Sequence, residues 1–168
     1  HNNSIYGLTK GQASPTSTHG LIAKTSPYWV NNIPWNPVEI AIALGASFVA
    51  RSFSGDKENL PQIIAAAIKH EGFALVDIFT PCVSFNKFNA FGWYKEHVKP
   101  LPTDYNPEDK FKAMQMAEPT NNVFYTGIIF QCQGLPTLES HFPALKNGPL
   151  AAQPVDMQKL QDFQQKFM

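Results

Sequence analysis

The stretch Phe73-Ala74-Leu75-Val76-Asp77-Ile78-Phe79-Thr80-Pro81-Cys82 runs apolar over seven positions, broken only by Asp77, then turns at Thr-Pro and delivers a cysteine. An apolar run without alternation predicts a strand covered on both faces, the pattern of a parallel sheet. Just upstream, Asn59 to His70 places Leu60, Ile63, Ile64, Ala67 and Ile68 at helical spacing and ends at Gly72; before it lies the short strand Phe48-Val49-Ala50-Arg51. Strand, helix and strand in that order predict a right-handed βαβ unit. Thr80-Pro81-Cys82 then falls at the C-terminal end of a parallel strand, the edge where open α/β sheets hold ligands.

Outward from this unit, Asn36 is positioned to cap a helix with Pro37 at its first turn, running through Leu44 to a terminating Gly45. Residues His19 to Pro37 carry three prolines with Tyr28, Trp29 and Trp35, which predicts an ordered loop because disordered linkers seldom hold so many rings. Later, Phe91 to His97 reads as a short helix and Asn106-Pro107 as the cap of another through Ala117. Val123 to Phe130 reads as a strand. From Gly134 onward prolines and glycines break the pattern until a weak helix at Asp156 to Phe163. The expected division is a domain over residues 1–133 and an irregular extension over 134–168.

The 168 residues suffice for one domain with its own core. Thirteen basic residues balance thirteen acidic ones, so no overall field draws nucleic acid or an anionic membrane. Two cysteines fifty positions apart, Cys82 and Cys132, make no disulfide framework and point to a reducing cytoplasm. No apolar run approaches a membrane span, and the first residues lack the pattern of a secretion signal. His1, His19, His70, His97 and His141 show no metal-ligand spacing, and His70 suits the end of a helix.

The first seventeen residues gather the groups an anionic, metal-bound ligand needs. Asn2 and Asn3 offer neutral oxygens, Gly7 and Gly11 let backbone N–H groups approach an anion, and Lys10 adds a charge. Thr9, Ser14, Thr16 and Ser17 add hydroxyls. This is the chemistry of a magnesium-bound phosphate ester. The segment is not a nucleotide P-loop, because Lys10 precedes its glycine and Gln12 follows.

Taken with Thr80-Pro81-Cys82-Val83-Ser84-Phe85-Asn86, this passage resembles the β subunit of 2-oxoacid:ferredoxin oxidoreductases, most closely up to about Trp93. The resemblance implies an α/β fold: the C-terminal part of a thiamine-diphosphate-binding domain, a mainly parallel sheet with helices on both faces. It implies that Asn3, through its side chain, and Ile5, through its carbonyl, hold Mg²⁺, a cation that takes hard oxygens in octahedral array. Gly7, Leu8 and Thr9 would border thiamine diphosphate, while Leu8 and Lys10 line the 2-oxoacid pocket. Cys82 would be the fourth thiolate of a [4Fe–4S] cluster, and Cys132 structural.

The family's Gly-Asp-Gly turn and its other cluster cysteines would lie before His1, so the chain reads as starting inside a fold and should bind Mg²⁺ and diphosphate poorly by itself. The implied activity is oxidative decarboxylation of a 2-oxoacid, 2-oxoglutarate by preference, to an acyl-coenzyme A, with electrons passing to ferredoxin and an α subunit as partner. Two alternatives stand beside it: a non-redox thiamine-diphosphate decarboxylase, which would not need Cys82, and an inert or subunit-docking fragment.

Overall fold

A computed structural model describes residues 1–167. They form two compact units, one spanning His1–Leu135 and one from Pro136 onward. The first contains helix α1 (Pro37–Ala43), strand β1 (Phe48–Phe53), helix α2 (Asn59–Lys69), strand β2 (Ala74–Phe79), helix α3 (Phe91–His97), strand β3 (Val98–Pro100), helix α4 (Lys110–Ala117) and strand β4 (Phe124–Gln131). The sheet order is β2-β1-β4-β3. Strands β1 and β2 pair in parallel, as do β3 and β4, while β1 and β4 run antiparallel. The βα2β unit thus holds the centre and one edge of a mostly parallel sheet.

Side-chain alternation along β1 explains why both faces carry helices. Val49 packs with Val38 and Ile42 of α1, Ala113 and Ala117 of α4, and Ile129. Its neighbours Phe48 and Ala50 point the other way, into a cluster with Ile63 of α2, flanked by Val76 and Ile128. Val38, Ile42, Val49 and Ile129 are fully buried, and each such side chain stabilises the fold by about 1.5–3 kcal/mol. A third cluster of Phe53, Phe79 and Tyr94 joins α3 to the C-terminal ends of β1 and β2.

Local signals held where capping chemistry was explicit. The Asn36 side chain accepts from Val38 N at 3.2 Å, Pro37 opens α1, and Gly45 takes φ +87 just past its end. Helix α4 departs from expectation. Asn106 accepts from Glu108 N in a turn, and the Pro107 carbonyl accepts from Gln131 N at the end of β4, so the helix starts three residues later under the cap of Asp109. Strand β2 is buried at Asp77, Ile78 and Phe79 but only partly at Ala74 to Val76, and Phe73 lies outside it, largely exposed. The sheet covers it fully only at the end that matters for the site.

In the second unit, three short 3₁₀ turns precede helix α5 (Met157–Gln165). Asp156 caps α5 by accepting from Gln158 N and Lys159 N, and Gln153 Nε2 donates to the carbonyls of Ala144 and Gly148. Met157, Leu160 and Phe163 of this helix are exposed. No helix among the described residues is long and apolar enough to cross a membrane.

Candidate functional site

The opening segment docks onto the C-terminal end of β2. Asn2 N donates to Ile78 O and Thr80 N donates to Asn2 O, both at 2.8 Å, a parallel bridge that brings the paired asparagines to the strand end expected to hold ligands. Asn2 serves the scaffold. Its Oδ1 accepts from Ser4 N at 3.2 Å and from Thr16 Oγ1 at 2.9 Å, and its Nδ2 donates to Asp77 Oδ2 at 3.4 Å.

Between Asn3 and Ile5, Ser4 adopts a left-handed backbone with φ +53, a conformation that costs a non-glycine residue about 1 kcal/mol or more. Three groups hold it there. Besides the Asn2 bond, Ser4 Oγ pairs with Tyr94 Oη at 3.0 Å, and Ser17 Oγ donates to the Ser4 carbonyl at 2.7 Å. The Ile5 side chain is buried with Leu21, Ala23 and Val30, which fixes the direction of its carbonyl. No backbone N–H among the described residues donates to that carbonyl. Asn3 Oδ1 has one long contact, 3.4 Å from Ile5 N. Asn3 and Ile5 border a groove of about 440 Å³ with Tyr6 and Thr16. Two hard oxygens fixed by a strained, over-determined turn are a fitting donor set for Mg²⁺.

Gly7 joins the two motifs. A Cβ placed on it would stand 3.0 Å from Cys82 Sγ and 3.4 Å from Asn3 Nδ2, so the cysteine and the second asparagine meet at one glycine. Beyond it, Tyr6 and Gln12 bridge across a turn in which Lys10 takes φ +74 and Gly11 φ +97. Thr9 Oγ1 donates to Gln12 Oε1, leaving Lys10 exposed and Leu8 98% exposed at the tip.

Cys82 is a free, half-buried thiol. Burial alone would raise it, but the backbone N–H groups of Phe85, Ser84 and Asn86, helped by the charge of Lys87, bring it below its ordinary value of 9.0. Amides near a sulfur favour the thiolate, the form that binds metal. Among the described residues no group of three or more His, Cys, Asp and Glu comes together, so this chain offers one such thiolate. Cys132 packs against the α1/α4 core.

Several contributors were not legible as site residues. Asn86, the last residue of the Thr80–Asn86 motif, and Asn89 are buried polar side chains, and Arg51, read as the end of a short strand, is only 2% exposed. Asp77, which breaks the apolar run of β2, is buried and faces Arg51 across the β1/β2 pair. His70 is the cap of α2, with Nε2 2.8 Å from Ser47 Oγ, a structural place as expected. Trp29 and Trp35 are more than half exposed, so neither is a core ring; Trp93 packs against Tyr94 and Phe124.

The fold matches that of the C-terminal domain of thiamine-pyrophosphate enzymes, and the family model for the "Thiamine pyrophosphate enzyme, C-terminal TPP binding domain" matches residues 1–78. A second family model, describing the C-terminal region of the pyruvate ferredoxin oxidoreductase beta subunit, matches residues 82–147. Over 160 residues the chain is 36% identical to the 2-oxoacid:ferredoxin oxidoreductase subunit beta of Sulfolobus sp, covering 89% of this chain and 52% of that protein. Over 85 residues it is 46% identical to the 2-oxoglutarate oxidoreductase subunit KorB of Mycobacterium tuberculosis, covering 51% of this chain and 23% of that protein. Among solved structures, 2-oxoglutarate:ferredoxin oxidoreductase from Magnetococcus marinus, with 2-oxoglutarate, coenzyme A and succinyl-CoA bound, superposes with a TM-score of 0.81 at 35% identity, over 96% of this chain and 55% of that chain. Along most of its length the chain is thus similar to the C-terminal part of β subunits of 2-oxoacid:ferredoxin oxidoreductases. It spans at most about half the length of the curated relatives it matches.

Proposed function

We propose that this chain is the coenzyme- and cluster-bearing C-terminal part of a β subunit that, with an α subunit, oxidatively decarboxylates a 2-oxoacid to its coenzyme A thioester and passes the electrons to ferredoxin in the cytoplasm. The observation that carries the reading is the meeting of Asn3 and Cys82 at Gly7. A non-redox decarboxylase has no use for a thiolate at the edge of its coenzyme site, whereas an oxidoreductase needs its electron acceptor there.

In this reading Asn3 Oδ1 and the Ile5 carbonyl hold Mg²⁺, with Gly7, Leu8 and Thr9 beside the diphosphate, and Cys82 donates one thiolate to a [4Fe–4S] cluster. Thiamine diphosphate, when bound, supplies the electron sink that lets a 2-oxoacid lose carbon dioxide. The chain's own groups do the holding: Ser4, clamped by Tyr94 and Ser17, keeps the two metal-facing oxygens in place before any ligand arrives. Lys10, on its exposed turn, meets a substrate carboxylate, and Leu8 packs against the substrate carbon chain. A lysine suits the second carboxylate of a dicarboxylic 2-oxoacid, and the Magnetococcus structure carries 2-oxoglutarate, which together favour that substrate. Residues 1–133 form the coenzyme domain and 134–168 an extension.

The test is 2-oxoacid- and coenzyme A-dependent reduction of ferredoxin by the complex that contains this chain, with thiamine diphosphate and iron measured in the same sample. Turnover with iron present is expected, fastest with 2-oxoglutarate. Decarboxylation by an iron-free complex would instead identify a non-redox decarboxylase.

A further inference from the structure

Asn86 touches both halves of the candidate site, and although it closes the Thr80–Asn86 motif, the sequence assigns it no role. It is fully buried. Its Nδ2 donates to the Asn3 carbonyl at 3.3 Å, across 83 positions of chain. Its backbone N–H donates to the Cys82 carbonyl at 3.1 Å, and with the amides of Phe85 and Ser84 it helps hold the Cys82 thiol below its ordinary value. Its Oδ1 accepts from Phe88 N at 3.1 Å and Asn89 N at 2.9 Å. The orientation of the amide is fixed by its partners, since turning it over would set an acceptor against the Asn3 carbonyl and donors against two N–H groups.

Few side chains could replace it. Aspartate keeps the acceptor for Phe88 and Asn89 but cannot donate to Asn3. Alanine leaves the Phe88 and Asn89 N–H groups and the Asn3 carbonyl without this partner, and for the buried Asn89 N–H that loss is costly. Asn86 is therefore a strut of one residue's length between the loop that carries Cys82 and the turn that carries Asn3.

We propose that Asn86 is a positioning residue that sets the separation between the metal-facing turn at Asn3 and the Cys82 thiolate, so that coenzyme affinity and cluster potential depend on the same side chain. The inference rests on the functional reading above. Its physical content is a coupling: loosening the strut lets the Asn3 turn relax, which weakens coenzyme binding, and lets the amides drift from the Cys82 sulfur. N–H dipoles at a cluster sulfur favour the more negative, reduced state, so their drift lowers the potential.

The experiment uses the holo complex containing this chain, with Asn86→Ala, Asn86→Asp and, as a control, Thr18→Val. Thr18 Oγ1 donates to Asn89 Oδ1 at 2.7 Å, in the same buried region but without a link to Asn3. Thiamine diphosphate–Mg²⁺ affinity is read by calorimetry and the cluster potential by EPR-monitored redox titration. Asn86→Ala is expected to weaken coenzyme binding roughly three- to tenfold, the worth of one neutral hydrogen bond, and to lower the potential. Asn86→Asp, which keeps the loop acceptor and so guards against a misfolded alanine variant, is expected to weaken coenzyme binding by a similar factor. Thr18→Val should leave both readouts unchanged.

Wild-type coenzyme affinity in Asn86→Asp would overturn the proposal. So would an Asn86→Ala complex in which one readout moves alone, or a Thr18→Val complex that moves both. A wild-type complex that carries neither coenzyme nor iron would overturn the functional reading itself, and this inference with it; a loaded wild type with unresponsive Asn86 variants would overturn only the inference.

Discussion

Arg51 Nε lies 4.0 Å from Asp77 Oδ2 across the parallel β1/β2 pair, and neither side chain has appreciable access to water. Arg51 Nη2 also donates to Asn36 Oδ1 at 2.9 Å and to the Ala117 carbonyl at 3.0 Å, tying the start of α1 and the end of α4 to the sheet. The guanidinium carbon sits 5.6 Å from the Phe79 ring centroid and 5.7 Å from that of Phe124. Burial lowers the Arg51 guanidinium to about 10 even with Asp77 and Glu39 opposing it. Because Asp77 in turn accepts from Asn2 Nδ2, this pair anchors the opening segment whose next residue, Asn3, is the proposed metal ligand.

Removing the acid should therefore cost more than removing a surface charge. Asp77→Ala leaves Arg51 charged and buried, and a broken buried pair typically costs about 3–5 kcal/mol. Urea denaturation would measure it, and a loss under about 1 kcal/mol, the surface-pair range, would show that Arg51 finds another partner. The pH dependence has a defined sign. Burial raises the Asp77 carboxyl above its ordinary 3.8, against the pull of Arg51 and the Asn2 bond. A raised folded value means that the contribution of Asp77 to stability is fully present below 3.8 and is lost as pH climbs through the folded value. Asp77→Asn removes that loss, so the stability of wild type minus that of Asp77→Asn should fall with rising pH over this window; a flat or rising difference would contradict the direction of the shift.

Gly7 gives a prediction in which sterics alone decide. Its backbone lies outside the left-handed region, so alanine meets no conformational strain, but the added carbon would stand 3.0 Å from Cys82 Sγ. The sulfur has to move. Gly7→Ala should destabilise the fold modestly, by about 1–2 kcal/mol for overpacking, while iron retention by the complex falls severalfold. Iron per chain, measured beside the thermal midpoint, separates the two effects. Full iron occupancy in Gly7→Ala would mean that the thiolate does not need this space.

Much of this architecture was readable from the residues. The βα2β unit follows from apolar runs and one amphipathic helix, and α1 from an Asn-Pro start and a glycine stop. The three-residue strand Val98–Pro100 was not readable, because it carries a proline, sits at the sheet edge and follows α3 without a turn. The Asn3, Gly7 and Cys82 constellation was visible as two unusual motifs, although only the fold brings them to one point. Asn86, Ser4 and Tyr94 were silent because their meaning lies in partners more than eighty positions away. Arg51 was silent for a similar reason, since nothing near it in sequence announces that a cation is buried there.

Cys82 allows a direct chemical check on the 168-residue chain, freed of iron and carrying Cys132→Ala. Burial works to raise the thiol, and the amides of Phe85, Ser84 and Asn86 with Lys87 overcome it. Alkylation by iodoacetamide follows the thiolate, so its pH profile should have a midpoint below 9.0. Lys87 is the removable part of this field: Lys87→Met should move the midpoint up, toward the ordinary value. A wild-type midpoint at or above 9.0 would show that the amides do not reach the sulfur in solution.

Lys10 poses stability against function. It holds φ +74 between Gly7 and Gly11, where a side chain costs about 1–2 kcal/mol relative to glycine. A non-glycine residue kept in such a conformation is a reason to ask what its side chain does. Lys10→Gly should thus leave the fold as stable or more stable, by up to about 1 kcal/mol, and Leu8→Ala, at a position 98% exposed, should change stability by less than about 0.5 kcal/mol. In the complex both variants should raise KM for the 2-oxoacid. A lysine that meets a carboxylate contributes a charged hydrogen bond of about 1.5–3 kcal/mol, so Lys10→Gly should raise KM at least tenfold for a dicarboxylic 2-oxoacid. The effect should be much smaller for pyruvate, which lacks the second carboxylate. Equal losses for both substrates would place Lys10 at the carboxylate they share, and no loss for either would leave its strained backbone without a functional reason.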